Sequence, residues 1–266
     1  MLWCPRRFLY ERVYGIGADE DRVNALPGSV HHDTLAYLIE ELNAPAAVDR
    51  VLPKYEEQLR KYNFSIDGLR FEVIKRYQQL QAIFDDNGVK LLACEQRFDD
   101  VLDVYHGIID LQIDKTPVPA KDGKSILEWL PGNSVQDYKV VGSNRARSQR
   151  DAEQSAQLAL YAIATGYSSA GFFEIPRDLG KPMKFRVTTY DPEQIPLWKS
   201  WFKAQADFVL AAWADTIEMY CKGYAFEEIE KRWFRCSRSN FLCSPLYCHQ
   251  WDRCYGTLQR CQEGAD

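Results

Sequence analysis

The sequence predicts an α/β fold: a mixed sheet core with helical additions at both ends. Three observations carry this. Apolar residues recur at helical spacing up to Phe84. From Lys90 the pattern shifts to runs rich in β-branched and aromatic residues, broken by Gly, Pro, Asn and Asp. Beyond Pro196 a long aromatic helical pattern returns. Helices, then strands, a helix, more strands and a helical end make a mixed α/β order.

Residues 1–27 form an aromatic and basic lead, then a charged loop closed by Pro27-Gly28. A helix is expected from Gly28, with Leu35, Leu38 and Ile39 on one face and Pro45 as its stop. Ala46–Tyr62 and Gly68–Phe84 are expected as two further helices. The second spaces Leu69, Val73, Tyr77, Leu80 and Phe84 along one stripe. Asp86-Asn87-Gly88 signals a turn.

Lys90–Phe98 and Val101–Ile113 read as strands. Lys115–Ser134 carries Pro117, Pro119 and Pro131 and reads as a loop or an extended hairpin. Val135–Val141 is a third strand. Asp151–Thr165 is a helix ended by Gly166, and Ala170–Ile175 and Lys184–Thr189 are further strands. Pro196–Lys222 is a long helix ended by Gly223, and a short helix over Phe226–Trp233 leads into a cysteine-rich tail. The expected organisation is a single domain over 1–266, with 28–190 as its core and 1–27 and 191–266 as extensions.

The chain has 266 residues, 46% hydrophobic and 27% charged, enough for a substantial core. No apolar run approaches the ~18 residues of a membrane span, and Met1–Arg7 lacks the apolar stretch of a signal peptide. The expectation is a cytoplasmic protein of a prokaryotic or phage-infected cell. A net charge of -5 argues against extensive wrapping of nucleic acid. It leaves room for a local basic channel, with Arg145, Arg147 and Arg150 or Lys231, Arg232, Arg235 and Arg238 as candidates. No Gly-x-x-x-x-Gly-Lys-Ser/Thr loop is present, so no nucleotide motor is expected.

The chemistry concentrates in four places. Asp137 and Lys139 of Asp137-Tyr138-Lys139 share one face of a strand, because strand side chains alternate. Asp110 ends Gly107-Ile108-Ile109-Asp110 on the strand before. His32 stands four residues after Gly28 at the start of a helix, whereas its neighbour His31 points elsewhere and is not taken as a ligand. Gln157 and Tyr161 are four apart and share a helical face. Carboxylates suit a hard divalent cation, and an imidazole beside them suits Mn²⁺ at least as well as Mg²⁺. Lys139 can orient a water or stabilise charge on a phosphate. Gln157 and Tyr161 can hydrogen-bond a phosphate or a base.

With these residues in this order, the chain resembles the RecB-type branch of the PD-(D/E)XK nuclease superfamily over roughly residues 28–161. The match rests on Gly28/His32, Gly107/Asp110, Asp137/Lys139 and Gln157/Tyr161, with Glu95 a weaker match to an acid that many members carry. The resemblance implies a restriction-endonuclease-like core and metal-dependent DNA cleavage. It also implies metal binding by His32, Asp110 and Asp137, with the Tyr138 carbonyl contributing. The long separation of Asp110 from Asp137 departs from the family pattern and points to an insertion at 114–133.

Eight cysteines are many for a reducing compartment, and five of them, Cys236, Cys243, Cys248, Cys254 and Cys261, fall at the C-terminal end. Four thiolates hold either Zn²⁺ or a [4Fe–4S] cluster, and spacing alone does not separate the two. Cys4, Cys243, Cys248 and Cys254 are similar to the set in the iron–sulfur exonucleases of the same branch, which include CRISPR-associated and phage-encoded members. That resemblance implies a cluster joining the two chain ends, with Cys236 as the fallback ligand. Cys94 and Cys221 read as small buried hydrophobes.

The expected function is a Mg²⁺- or Mn²⁺-dependent DNA exonuclease acting on single-stranded ends, with a structural [4Fe–4S] cluster. Its partners would be DNA and proteins of recombination, replication or CRISPR adaptation. The competing expectations are a non-catalytic DNA-end-binding subunit and a zinc-stabilised scaffold.

Overall fold

The computed structural model describes residues 26–38, 40, 43–119, 126–141, 149–191, 193–225, 228, 229 and 232. Val23–Phe202 forms one compact unit, and Met1–Arg22 with Lys203–Asp266 forms another.

The larger unit opens with short helices. Helix α1 spans Leu26–Leu35 and tightens into a 3₁₀ turn over Ala36–Leu38. It starts before Gly28, because Pro27 is pre-set for the first turn and its missing N–H costs nothing there. The expected stop at Pro45 is corrected in the same way. Asn43 caps the next helix by accepting from the Ala46 amide, and Pro45 sits in its first turn. That helix, α2, covers Ala44–Val51. The single helix expected over Ala46–Tyr62 is broken: Pro53 lies in a 3₁₀ turn over Leu52–Lys54, and α3 follows over Glu56–Lys61.

Helix α4, Ile66–Asn87, bears out its stripe: Leu69, Val73, Tyr77, Leu80 and Phe84 are all buried. Ser65 caps it through the Gly68 amide, and Gly88 ends it in the left-handed region at φ 57°. One buried residue on this helix is a cation, Arg76.

The sheet has the order β1-β2-β3-β4-β5. Strands β1 (Leu91–Val101), β2 (Tyr105–Pro119) and β3 (Ile126–Val141) form an antiparallel meander. The β1–β2 turn falls later than expected, after Val101. Asp100, Leu102 and Asp103 take positive φ there, a conformation that aspartate tolerates well. Within the 114–133 region, the described residues lengthen β2 and β3, paired from Lys115↔Pro131 to Pro119↔Ile126. Trp129 packs edge-on to Phe84 and Phe185, and the extension walls a groove of about 880 Å³ beside Arg76, Lys115 and Met183.

The chain then crosses through α5 (Gln149–Glu153) and α6 (Ala156–Thr165) to β4 (Ser169–Pro176), which runs parallel to β3. A parallel pair requires such a crossover. One helix over Asp151–Thr165 was expected. Ser155 splits it by taking an extended conformation and capping α6 through the Leu158 amide. Strand β5 (Lys184–Thr189) closes the sheet antiparallel to β4.

Alternation divides the sheet. Leu111, Ile113, Tyr138, Phe173, Ile175, Phe185 and Val187 pack with Tyr77, Leu80 and Phe84 in the main core. A second core, built on Val30, Val48, Val51, Leu59, Leu69 and Val73, joins the N-terminal helices. Helix α6 lies against β1, β3 and β4.

Helix α7, Gln194–Cys221, begins in the larger unit, where the Tyr105 hydroxyl donates to the Phe202 carbonyl at 2.7 Å. In the other unit, Ala212, Thr216 and Met219 are buried, and Arg232 pairs with Asp215 at 2.9 Å. Cys221 is exposed and Cys94 half-buried, so neither is the buried hydrophobe expected. Among the described residues, no helix is long and apolar enough to cross a membrane.

Ile39, Arg145, Arg147, Lys231, Trp233, Arg235, Arg238 and the six cysteines at 4, 236, 243, 248, 254 and 261 lie outside the described residues. The helix expected over Phe226–Trp233 falls there in large part.

Candidate active site

The residues that sequence alone brings into one hypothesis converge in space. Strands β2 and β3 set the two aspartates beside each other, since Leu111 is registered with Gln136. Asp110 Oδ2 accepts from the Tyr138 amide at 2.8 Å, which ties the first acid to the strand carrying the second. Asp137 is fully buried, and its Oδ1 accepts from the Gln157 amide nitrogen at 2.7 Å. The Lys139 ammonium approaches Asp137 Oδ2 to 2.6 Å. That contact is an ion pair to a buried oxygen.

Gln157 and Tyr161 act together. The Gln157 nitrogen also donates to the Tyr161 oxygen at 2.8 Å, and the Tyr161 hydroxyl donates to the Ile108 carbonyl at 2.8 Å. This chain runs from Asp137 to the strand of Asp110. Burial, reinforced by the charges of Asp137 and Asp110, pushes the Tyr161 hydroxyl well above its usual range, so it remains a donor.

Helix α1 delivers His32 from the other side. Its Nδ1 lies 3.4 Å from Glu95 Oε1 and 3.8 Å from Asp110 Oδ2, and its ring stands edge-on to Tyr138. His32, Glu95 and Asp110 each offer a ligand atom within 4.8 Å of the other two. Glu95 thus joins the group, although the sequence made it only the weaker match. Its backbone is left-handed at φ 47° inside β1, an uncommon state for a glutamate. Tyr138 contributes its backbone amide, while its ring is buried in the core.

The electrostatics suit a cation. Burial raises the Asp110 pKa to about 7, and the neighbouring Asp137 charge adds to this. For His32, burial opposes the charged form. The Glu95 hydrogen bond and the charges of Asp110 and Glu95 outweigh it, and the imidazole pKa rises. A buried carboxylate ion-paired with Lys139, a second acid held partly protonated, and an imidazole–carboxylate pair within ligand distance fit a hard divalent ion. His32, Glu95, Asp110 and Asp137 would hold it.

His31 does not join this group. It is buried and faces Glu72 of α4, Nε2 to Oε1 at 3.2 Å. Arg150 is exposed.

No curated protein matches the chain at a significant level. The model of the PD-(D/E)XK nuclease superfamily does match, over residues 1–255. With that match across nearly the whole chain, and with a mixed sheet presenting paired acids beside a lysine, the chain belongs to the PD-(D/E)XK nuclease superfamily, whose members cleave nucleic acid with divalent metal ions.

Proposed function

We propose that this protein is a metal-dependent DNA exonuclease acting on single-stranded ends. The observation that supports it most is the meeting of His32, Glu95 and Asp110 within 4.8 Å, beside a buried Asp137 paired with Lys139. A divalent ion held there supplies Lewis acidity and positive charge toward a scissile phosphate. The residues divide the remaining work. Asp110 and Asp137 are held at fixed separation by the Tyr138 amide and by the Gln157–Tyr161–Ile108 chain. Lys139 is only partly buried and is placed to stabilise charge growing on the phosphate. Gln157 and Tyr161 keep Asp137 in position, so their role is orientation.

The preference for single-stranded ends rests on the resemblance to iron–sulfur exonucleases. A [4Fe–4S] cluster on Cys4, Cys243, Cys248 and Cys254 belongs to the same reading and rests on sequence alone. Anaerobically purified protein is expected to show a broad band near ~400 nm. A colourless protein with stoichiometric zinc overturns the cluster.

The test of activity uses end-labelled single-stranded DNA with Mn²⁺ or Mg²⁺, and a circular single strand as the end-free control. Wild type should shorten the linear strand and spare the circle. Asp137→Ala and Lys139→Ala should each lower the rate about 100-fold or more. Binding without cleavage under either metal would leave a DNA-end-binding subunit. Cutting of the circle would make the enzyme an endonuclease.

A further inference from the structure

The proposed metal site is assembled from two separate parts of the chain. Its carboxylates stand on the β1–β3 meander, whereas His32 stands on α1, 63 residues before Glu95. Something must hold helix and sheet at a fixed separation, because metal ligands tolerate little displacement. The residue next to His32 supplies a connection.

His31 is 1% exposed, and its Nε2 lies 3.2 Å from Glu72 Oε1. Glu72 in turn receives Arg177: Nε lies 3.1 and 3.3 Å from its two oxygens, and one terminal nitrogen 3.2 Å from Oε2. Arg177 follows β4 directly, and its own amide donates to the Val141 carbonyl at 3.0 Å. Val141 ends β3, the strand of Asp137 and Lys139. One turn along α4 from Glu72, the Arg76 guanidinium grips the same segment through the carbonyls of Asp178, at 2.6 Å, and Lys181, at 3.1 Å. The path therefore runs from α1, through α4, to the end of the catalytic strand.

An apolar residue would fill the His31 position at lower cost, since an imidazole buried there needs a polar partner. The polar choice and its two successive partners point to a demand for direction as well as volume. We infer that His31, Glu72 and Arg177 form a positioning clamp that fixes His32 against the carboxylates of the metal site. None of the three touches the reacting groups; each acts through His32. The inference rests on the metal-site reading above and adds the residues that set its geometry.

Mn²⁺ alone is the probe, titrated into metal-free protein and followed by loss of the free-ion paramagnetic resonance signal. His31→Leu keeps the volume and deletes the link. It should weaken Mn²⁺ about ten-fold or more, as loss of outer partners does at other metal sites, while the melting temperature stays near wild type. His31→Gln restores an N–H close to the Nε2 position and should recover most of the affinity. Arg177→Met breaks the far end from a half-exposed position, so it tests the clamp even if His31→Leu fails to fold. DNA cleavage by both weakened variants should return toward the wild-type rate at saturating Mn²⁺, because Asp137 and Lys139 are untouched. Wild-type Mn²⁺ affinity in His31→Leu and Arg177→Met, alongside a loss in His32→Ala, overturns the clamp and spares the metal site. Wild-type affinity in His32→Ala overturns the metal site, and the clamp with it.

Discussion

Asp110 carries the sharpest pH dependence at the level of single residues. Its carboxyl is raised from an ordinary aspartate value to about 7, so between roughly pH 4 and 7 the folded protein binds a proton that the unfolded chain releases. Unfolding free energy contributed by this group therefore falls as pH rises through that window. The raised His32 pKa acts in the same direction, its contribution being lost as pH passes the folded value. Metal-free wild type compared with Asp110→Asn should show the difference: the variant gains in relative melting temperature from pH 5 to pH 8. Mn²⁺ should displace the same proton, so its affinity should climb over pH 6 to 8, with proton release measurable by calorimetry in buffers of different ionisation heat. Glu95 supplies a second residue-scale test. Asparagine accepts the left-handed backbone more readily than glutamate does. Glu95→Asn should therefore keep the wild-type unfolding free energy or raise it by up to about 1 kcal/mol, while Mn²⁺ binding weakens. A lower melting temperature with intact Mn²⁺ binding would make Glu95 structural.

At the scale of elements, what the sequence announces is periodicity and punctuation. The α4 stripe and the strand triplet Asp137-Tyr138-Lys139 are legible because each is a local pattern. The breaks at Pro53 and Ser155 are harder to read, since each competes with a helical pattern running through it. The strand extension beyond Lys115 is masked by its prolines, which read as loop although a paired strand accepts them. Helix α6 shows how a cap serves chemistry. Ser155 sets where the helix begins, and so where Gln157 and Tyr161 stand relative to β3. Ser155→Ala should cost about 1 kcal/mol in urea unfolding. Tyr161→Phe strands the Ile108 carbonyl and removes a partner of Gln157, which should cost about 1–3 kcal/mol and slow DNA cleavage as well. Normal cleavage by a destabilised Tyr161→Phe would confine its role to the fold.

Across the whole molecule, the division between legible and hidden follows sequence distance. His32, Asp110, Asp137, Lys139, Gln157 and Tyr161 are read from short motifs, and the fold brings them to one place. The partners of His31 were not legible: Glu72 is 41 positions away, and Arg177 a further 105. Nothing local marks a glutamate inside a helix and an arginine after a strand as a pair. The same distances bear on how the molecule comes together. Neighbouring strands of the β1–β3 meander pair over short separations, and such contacts form early. His32 has its partners at Glu95 and Asp110 on that meander, so it can meet them only after α1 has docked. On refolding from urea, hydrogen-exchange protection of the β1–β3 amides should thus recover before Mn²⁺ uptake does. A chain caught before that docking would hold its acids in place without His32 beside them, and the long-range contact would then act as a safety catch on a nuclease.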